Sequence, residues 1–256
     1  MLLAIDIGNT NITLGFFDGD ALIRTFRLSS QPKRAVDEYA MIIKTILRES
    51  SIHSLDSAIL SSVVPPLTPI FEAMCIGHFS LMPVVVNYQL DMDIRLSIPR
   101  PEGLGPDRIA SAVAAYGLYG GPVVVVDFGT ATTFSVVTEN GEYIGGAIMP
   151  GIGMSIDALA RMTAGLPEIS LNPPERFIGD DTRSNLCSGI VFGHVGAVEK
   201  ILKGIKRELG SSSVRVILTG GFSGIMKNYL RRYKVVPELT LEGLRMLYER
   251  NKTCTS

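Results

Sequence analysis

This sequence of 256 residues contains few cysteines and histidines, and its net charge is close to zero. Its three histidines and three cysteines (Cys75, Cys187 and Cys254) are scattered, and no CxxC pair occurs, so neither a disulfide framework nor a zinc site is indicated. The formal net charge is −1, which indicates no electrostatic surface for nucleic acid or for a membrane. We therefore expect a protein of the reducing cytoplasm that binds neither.

Familiar phosphate-binding and targeting motifs are also missing. Neither GxxxxGK[ST] nor GxGxxG occurs, which excludes a P-loop and a Rossmann phosphate site. The N-terminus has no basic segment and its apolar run stops at Asp6, so we expect no signal peptide. The longest uncharged run, residues 109–126, contains Gly-Gly-Pro and predicts helix, turn and strand rather than a membrane span.

Apolar periodicity predicts an α/β protein in which one order of elements occurs twice. A buried strand at 2–6 is followed by a hairpin and a helix, and a strand at 122–129 is followed by a hairpin and helices. A hydrophobic fraction of 46% against 19% charged residues indicates a well-buried core. We predict two domains of the same kind, residues 1–117 and 118–256.

Two helices of the second half complete this prediction. The first covers residues 188–209, and its small residues Gly189, Gly193 and Gly196 would permit close packing. The second covers residues 240–251 and closes the second domain.

The phrase "LLAIDIGNTN" at residues 2–11 has a counterpart, "VVVVDFGTATT", at residues 123–133. In each, an apolar strand ends in an aspartate, Asp6 or Asp127, with glycine two residues later. Glycine permits a tight turn whose N–H groups can hold phosphate oxygens, and the following Asn and Thr side chains add donors. A carboxylate beside a phosphate needs a cation between them, usually hydrated Mg²⁺. Two such turns facing each other would clamp a nucleoside triphosphate in an interdomain cleft.

A single copy of this motif favours an ordinary strand-to-hairpin turn, in which Asp and Gly are common. The second copy in a matching context favours a nucleotide site. So does "TGG" at residues 219–221, after a third apolar strand.

The paired motifs resemble the phosphate loops of the superfamily that unites sugar kinases, acetate kinase, actin and the heat-shock ATPases. Its fold is a duplicated ribonuclease-H-like unit. Within it, the chain is similar over essentially its whole length to the type III pantothenate kinases. The matching segments are "DIGNTN" at 6–11, "GPDR" at 105–108, "VVVDFGTATT" at 124–133, "GGAIMPGI" at 145–152, "ILTGG" at 217–221 and "LTLEGLRMLYERN" at 239–251.

This resemblance implies ATP-dependent phosphorylation of the primary hydroxyl of pantothenate, the first step toward coenzyme A. It implies that the ATP phosphates contact Thr130 and a loop made of Asp6, Ile7, Gly8, Asn9, Thr10, Asn11, Ile12 and Thr13. It further implies Mg²⁺ with ATP, held near Asp6 through water, and potassium or ammonium as a monovalent cation on Asp127.

The substrate loop of the family matches Gly105, Pro106, Asp107 and Arg108. Asp107 resembles the general base, and Thr182 resembles a pantothenate contact that the neighbouring chain of a homodimer supplies. The planar guanidinium of Arg108 could pair with the substrate carboxylate on chemical grounds alone. We expect Asp107 in the first turn of a helix, where the helix dipole would lower its pKa. Such a weak base still suffices to orient the hydroxyl, because the proton can leave late in a loose transition state.

Two departures from the family pattern concern the pantothenate pocket. Pro106 replaces an alanine and removes a backbone N–H, and Leu96 or Ile98 stands where the family has a tyrosine that touches pantothenate. These departures leave open a kinase for another small carboxylated alcohol. A further alternative is a non-catalytic nucleotide-binding protein with an accessory or regulatory role. The intact Asp107 and Arg108, with both aspartates of the doubled motif, favour catalysis over that alternative.

Overall fold

The computed structural model describes residues 1–211 and 213–252, so Cys254 lies outside the described residues. The chain divides into two compact units. The first comprises Met1–Gly117 together with the segment that starts at Leu239, and the second comprises Leu118–Glu238. Within the described ranges, we find no helix with the length and apolar character needed to cross a membrane.

The first unit is built on a five-stranded sheet with the order β3-β2-β1-β4-β5. Strands β1, β2 and β3 form an antiparallel meander, whereas β4 runs parallel to β1 and β5 parallel to β4. The strands are β1 (Leu2–Ile7), β2 (Asn11–Asp18), β3 (Ala21–Ser29), β4 (Ser57–Ser62) and β5 (Val84–Val85), and a two-residue strand β6 (Arg95–Leu96) follows. The helices are α1 (Val36–Glu49), α2 (Thr68–Phe79), α3 (Pro106–Tyr119) and the last helix of the chain, α7 (Leu239–Asn251).

Helices α1 and α2 cover one face of this sheet. Tyr39 of α1 and Phe71 of α2 are fully buried, and their ring centroids lie 4.7 Å apart. Alternate residues of β1, including Leu3 and Ile5, belong to the same apolar cluster. Because side chains alternate along a strand, every second residue of β1 faces α1 and α2.

Helix α7 packs on β1, β2 and β4 of the first unit, so the predicted domain of residues 118–256 is corrected at its C-terminal end. Two glycines allow the close approach. A Cβ on Gly15 would lie 2.9 Å from Cδ1 of Leu241, and a Cβ on Gly243 would lie 1.8 Å from the Ala110 carbonyl oxygen of α3. The sequence could not indicate this return, because the apolar face of α7 suits either sheet.

The second unit has the same sheet plan as the first. Its strands lie in the order β11-β10-β7-β8-β9, with β7, β8 and β9 antiparallel and with β10 and β11 parallel to β7. They are β7 (Val123–Phe128), β8 (Ala131–Val137), β9 (Glu142–Pro150), β10 (Arg215–Thr219) and β11 (Lys234–Val235). The helices are α4 (Ile152–Met162), α5 (Thr182–Glu208) and the short α6 (Ser223–Met226). The predicted duplication of an α/β unit is thus present in the structure.

Helix α5 begins six residues before the predicted start at 188, because Asp181 caps it. The Asp181 carboxylate accepts the N–H of Ser184 at 2.6 Å, which satisfies a donor that a helix start leaves open. The expected close packing at the α5 glycines is absent within the described chain. A Cβ added to Gly189, Gly193 or Gly196 would meet no heavy atom within 4 Å.

Candidate active site

The turn after β1 is held by hydrogen bonds within the turn and from Ser30, which follows β3. The N–H of Gly8 donates to the Asn11 carbonyl at 2.9 Å, and a Cβ on Gly8 would lie 3.0 Å from the same oxygen. Ser30 braces the turn from outside, with its hydroxyl donating to the Gly8 carbonyl and its N–H donating to the Thr10 carbonyl. The side chains of Asn9, Thr10 and Asn11 are exposed, so polar groups surround this hydrogen-bonded turn.

Not every residue of the predicted ATP loop can offer its side chain to a ligand. Ile7 and Ile12 are fully buried, so they can contribute backbone groups only. Asp6 and Thr13 are partly exposed and lie directly opposite each other across β1 and β2. The carboxylate of Asp6 therefore stands at the sheet end from which the turn projects.

The turn after β7 rests on glycines from two other segments. A Cβ on Gly151, which precedes α4, would lie 2.0 Å from the Thr130 carbonyl oxygen and 2.7 Å from that of Gly129. Gly220 has φ of +88°, and a Cβ there would lie 2.2 Å from Oδ1 of Asp127. Both positions therefore require glycine, which gives the "PGI" and "TGG" segments a structural role. Sequence analysis had no such role for Gly151.

The two aspartates occupy equivalent places in the two sheets. Each aspartate lies opposite one hydroxyl-bearing residue on the neighbouring antiparallel strand and one on the neighbouring parallel strand. These neighbours are Thr13 and Ser61 for Asp6, and Thr133 and Thr219 for Asp127. The repeat seen in the sequence motif therefore extends to the register of the sheets.

Ser61 is a candidate site residue that sequence analysis missed. Its hydroxyl donates to Oδ1 of Asp6 at 3.0 Å. The two residues are 55 positions apart, and only the parallel pairing of β1 with β4 brings them together. The sequence held one weak signal for this residue, the polar pair "SS" that follows the apolar run "AIL" of β4.

The substrate-loop candidates form the start of α3. Pro106 is its first residue, a position that suits proline because no helical N–H partner is lost there. The Gly105 carbonyl accepts the N–H groups of Arg108 at 3.0 Å and Ile109 at 3.1 Å. A Cβ on Gly105 would lie 2.5 Å from Oδ1 of Asp107, so glycine makes room for that carboxylate.

Burial raises the pKa of the Asp107 carboxyl, which corrects the lowering expected from the helix dipole. The Arg108 N–H, which donates to Oδ1 of Asp107 at 2.8 Å, and the Arg108 guanidinium both act in the opposite direction. Loss of hydration outweighs them because the carboxylate is largely enclosed. A carboxylate with a raised pKa is a stronger proton acceptor than the sequence suggested.

The predicted site residues are divided between the two units. Asp6 and the Gly105–Arg108 loop belong to the first unit, whereas Asp127, Thr130 and Thr182 belong to the second. Thr182 is exposed at the first position of α5. In the first unit, Leu96 and Ile98 are half-buried, and neither side chain carries a hydrogen-bond donor.

A second feature that sequence analysis missed is the contact between Thr132 and His194. Nε2 of His194, on α5, lies 2.8 Å from the hydroxyl oxygen of Thr132, on β8 just after the second turn. Both residues are buried, and burial lowers the pKa of His194. This buried histidine therefore ties α5 to the strand that follows the second turn.

The carboxylates of the site suit cations that take most of their ligands from elsewhere. Across the residues that the structure describes, no group of three or more His, Cys, Asp or Glu side chains could hold a metal ion. Mg²⁺ that travels with a nucleotide needs no such group, because phosphate oxygens and water fill most of its coordination shell. A single carboxylate such as Asp6 therefore fits this role.

Comparison with solved structures supports the fold. The chain superposes on a Campylobacter jejuni protein of the Baf family with a TM-score of 0.62 and 20% identity, covering 98% of this chain and 99% of the other. It superposes on the inorganic polyphosphate/ATP-glucomannokinase of Arthrobacter with a TM-score of 0.51 and 16% identity, covering 96% of each chain. The predicted duplicated ribonuclease-H-like, actin-like ATPase fold is thereby confirmed.

Comparison with known sequences identifies the family. The family model for type III pantothenate kinase matches residues 2–204. A type III pantothenate kinase of Agathobacter rectalis is 41% identical over 98% of this chain and 97% of its own length. One from Dehalococcoides mccartyi is 42% identical, covering 98% of each. With a family model that matches most of the chain and relatives more than 40% identical over nearly all of it, the chain belongs to the type III pantothenate kinase family.

Proposed function

We propose that the chain transfers the γ-phosphoryl group of ATP to the primary hydroxyl of pantothenate, the first step toward coenzyme A. The observation that carries this proposal is the Asp107 carboxylate at the start of α3, which accepts the N–H of Arg108 at 2.8 Å and adjoins the Arg108 guanidinium in sequence. A carboxylate can accept a hydroxyl proton, and a guanidinium can pair with a carboxylate. Pantothenate carries both complementary groups.

In the proposed reaction, the hydroxyl oxygen of pantothenate bonds to the γ-phosphorus while the bond from that phosphorus to the β–γ bridging oxygen breaks. The hydroxyl proton passes to Asp107, and ADP leaves with the bridging oxygen and its electron pair. Because the transition state is loose, Asp107 first orients the hydroxyl and takes the proton late. Arg108 holds the carboxylate end of pantothenate, and Gly105 and Pro106 shape the loop.

The two turns supply the groups for the nucleotide. The N–H groups of the loop from Asp6 to Thr13 and the hydroxyl of Thr130 bind phosphate oxygens. Asp6 would hold, through water, the Mg²⁺ that accompanies ATP, and that ion would offset phosphate charge. Asp127, beside the backbone of Gly129 and Gly220, would bind potassium or ammonium. A single carboxylate helped by backbone oxygens suits a large monovalent ion better than octahedral Mg²⁺.

We further propose a homodimer in which Thr182 contacts the pantothenate bound by the partner. Support comes from α5, where Gly189, Gly193 and Gly196 leave an open helix face. Large apolar side chains are also exposed in the same unit, namely Ile148, Met154, Leu159, Met162, Phe177 and Ile178. Paired copies would cover such a surface. The scattered cysteines and balanced charge support a cytoplasmic enzyme that binds neither nucleic acid nor membrane.

The test is transfer of label from γ-labelled ATP to pantothenate by the purified protein, with Mg²⁺ and potassium. We expect one labelled product, whose formation requires both substrates. Absence of transfer by a folded protein that still binds ATP would favour the accessory role. Faster transfer to another small carboxylated alcohol than to pantothenate would favour the alternative suggested by Pro106 and by Leu96 or Ile98.

A further inference from the structure

Ser61 occupies an unusual place for a serine. Its side chain is fully buried at the end of β4, a strand whose preceding residues Ala58, Ile59 and Leu60 are also fully buried. An apolar residue would satisfy that core position without the cost of removing a hydroxyl from water. The hydroxyl instead donates to Oδ1 of Asp6 at 3.0 Å.

We infer that Ser61 is a positioning residue that fixes the Asp6 carboxylate for the Mg²⁺ of the bound nucleotide. A carboxylate at a strand end can rotate about its terminal bond, and this torsion is broad and roughly two-fold. A donor on the adjacent strand restricts that rotation, since β1 and β4 hold Asp6 and Ser61 side by side in parallel register. The inference rests on the proposed role of Asp6 toward Mg²⁺.

The second unit offers an internal comparison. Thr219 stands beside Asp127 as Ser61 stands beside Asp6, but its hydroxyl donates at 3.2 Å to the carbonyl of Pro237. The backbone of Gly220 lies against Oδ1 of Asp127 instead. The hydroxyl beside Asp6 therefore bonds the carboxylate, whereas the hydroxyl beside Asp127 bonds a backbone carbonyl of a later segment.

The end of β4 also lies next to the substrate loop. The N–H of Val63 donates to the Ile7 carbonyl at 3.0 Å, and its Cγ1 would lie 3.7 Å from a Cβ on Gly105. Val63 thus bonds the strand that carries Asp6 and lies near the loop that carries Asp107.

The experiment compares Ser61→Ala with Ser62→Ala, its neighbour on the same strand. Ser62 is the matched control because its hydroxyl contacts Val64 and Thr68 and is not bonded to Asp6. Calorimetry measures binding of a non-hydrolysable ATP analogue with and without Mg²⁺. We expect Ser61→Ala to reduce the tightening by Mg²⁺ about tenfold, as for a hydrogen bond to a charged group, with Mg²⁺-free binding unchanged. Ser62→Ala should keep the full effect.

A second measurement is the Mg²⁺ concentration that gives the half-maximal rate at saturating ATP, which should rise in Ser61→Ala alone. Ser61→Thr, which retains the hydroxyl, should restore both values toward those of the unaltered chain. If Ser61→Ala fails to fold, Ser61→Cys replaces it, since a thiol has nearly the same shape and donates weakly. Normal Mg²⁺ enhancement of binding in the variant that lacks the hydroxyl overturns the inference.

Failure of the proposed function gives a different result. If the chain binds the analogue with Mg²⁺ but transfers no phosphoryl group to pantothenate, the kinase proposal is wrong. The calorimetric comparison of the Ser61 and Ser62 variants still tests the role of Ser61. A chain whose analogue binding is insensitive to Mg²⁺ overturns the inference itself.

Discussion

The backbone N–H of Arg108 donates to Oδ1 of Asp107 at 2.8 Å within the first turn of α3. This bond fixes the carboxylate at the helix start, while burial raises its pKa. The same residue is thus held in place by the fold and made more basic by its surroundings. Both effects suit a group that must orient a hydroxyl and accept its proton.

Asp107→Asn is expected to reduce kcat by about 10²–10⁴-fold, as for loss of a general base, while ATP binding persists. The variant should also be at least as stable at pH 7. Because the pKa of Asp107 is above 3.8 in the folded chain, its contribution to stability is full below that pH and is lost as the carboxyl ionises. Steady-state kinetics, calorimetry with ATP and denaturant unfolding measure the three quantities.

Glu102 is an exposed acidic residue just before this loop, and Glu102→Gln is the control for Asp107→Asn. It should leave all three quantities unchanged. An Asp107→Asn variant that retains most of its kcat would reduce Asp107 to a residue that starts a helix.

Asp127→Ala is expected to abolish activation by potassium or ammonium. In the unaltered chain, potassium should give a higher initial rate than sodium at the same ionic strength, because the Asp127 carboxylate with backbone oxygens suits a large, weakly hydrated ion. The measurement is initial rate against salt identity. Equal rates in sodium and potassium would refute the assignment and leave Asp127 as a second Mg²⁺-side carboxylate or a hairpin residue.

The free energy of unfolding should decrease as the pH falls below 6.5, the ordinary pKa of histidine, because burial lowers the pKa of His194. Its contribution is therefore complete above that pH and is lost toward the lower folded-state pKa, by about 1.4 kcal/mol per unit of pKa difference. His194→Gln, which can still bond Thr132, should weaken this dependence. The control His53→Gln, at an exposed position, should leave this dependence as it is. A pH dependence that is unchanged in His194→Gln would contradict the assignment.

Gly193→Glu is expected to convert the proposed dimer to a monomer without unfolding the chain. A Cβ at Gly193 meets nothing within 4 Å, so the new side chain fits a single copy and disturbs only a partner. Helix propensity also favours Glu over Gly by about 0.5–1 kcal/mol. Sedimentation measures the association state, with Gly77→Glu on α2 as the control, since that glycine is equally open. A Gly193→Glu chain that stays dimeric would place the interface elsewhere.

Local sequence determined the two Asp-x-Gly turns and most of the elements around them. A buried strand that ends in Asp-x-Gly and enters a hairpin depends on residues only a few positions apart, so the pattern is readable along the chain. The same holds for the start of α3, where Gly105 and Pro106 precede Asp107 and fit a helix start without reference to distant residues. For this reason both copies of the motif could be predicted as equivalent strands and turns.

Tertiary structure alone decided the properties that depend on distant neighbours. Ser61 reaches Asp6 only through parallel pairing across 55 positions, and α7 joins the first sheet although it follows the second. The pKa of Asp107 was expected to fall, because a helix start is visible in sequence whereas enclosure of the carboxylate is not. The sequence does not show what surrounds a hydroxyl or a carboxylate, and here the surroundings set the hydrogen-bond partner of Ser61 and the direction of the pKa shift of Asp107.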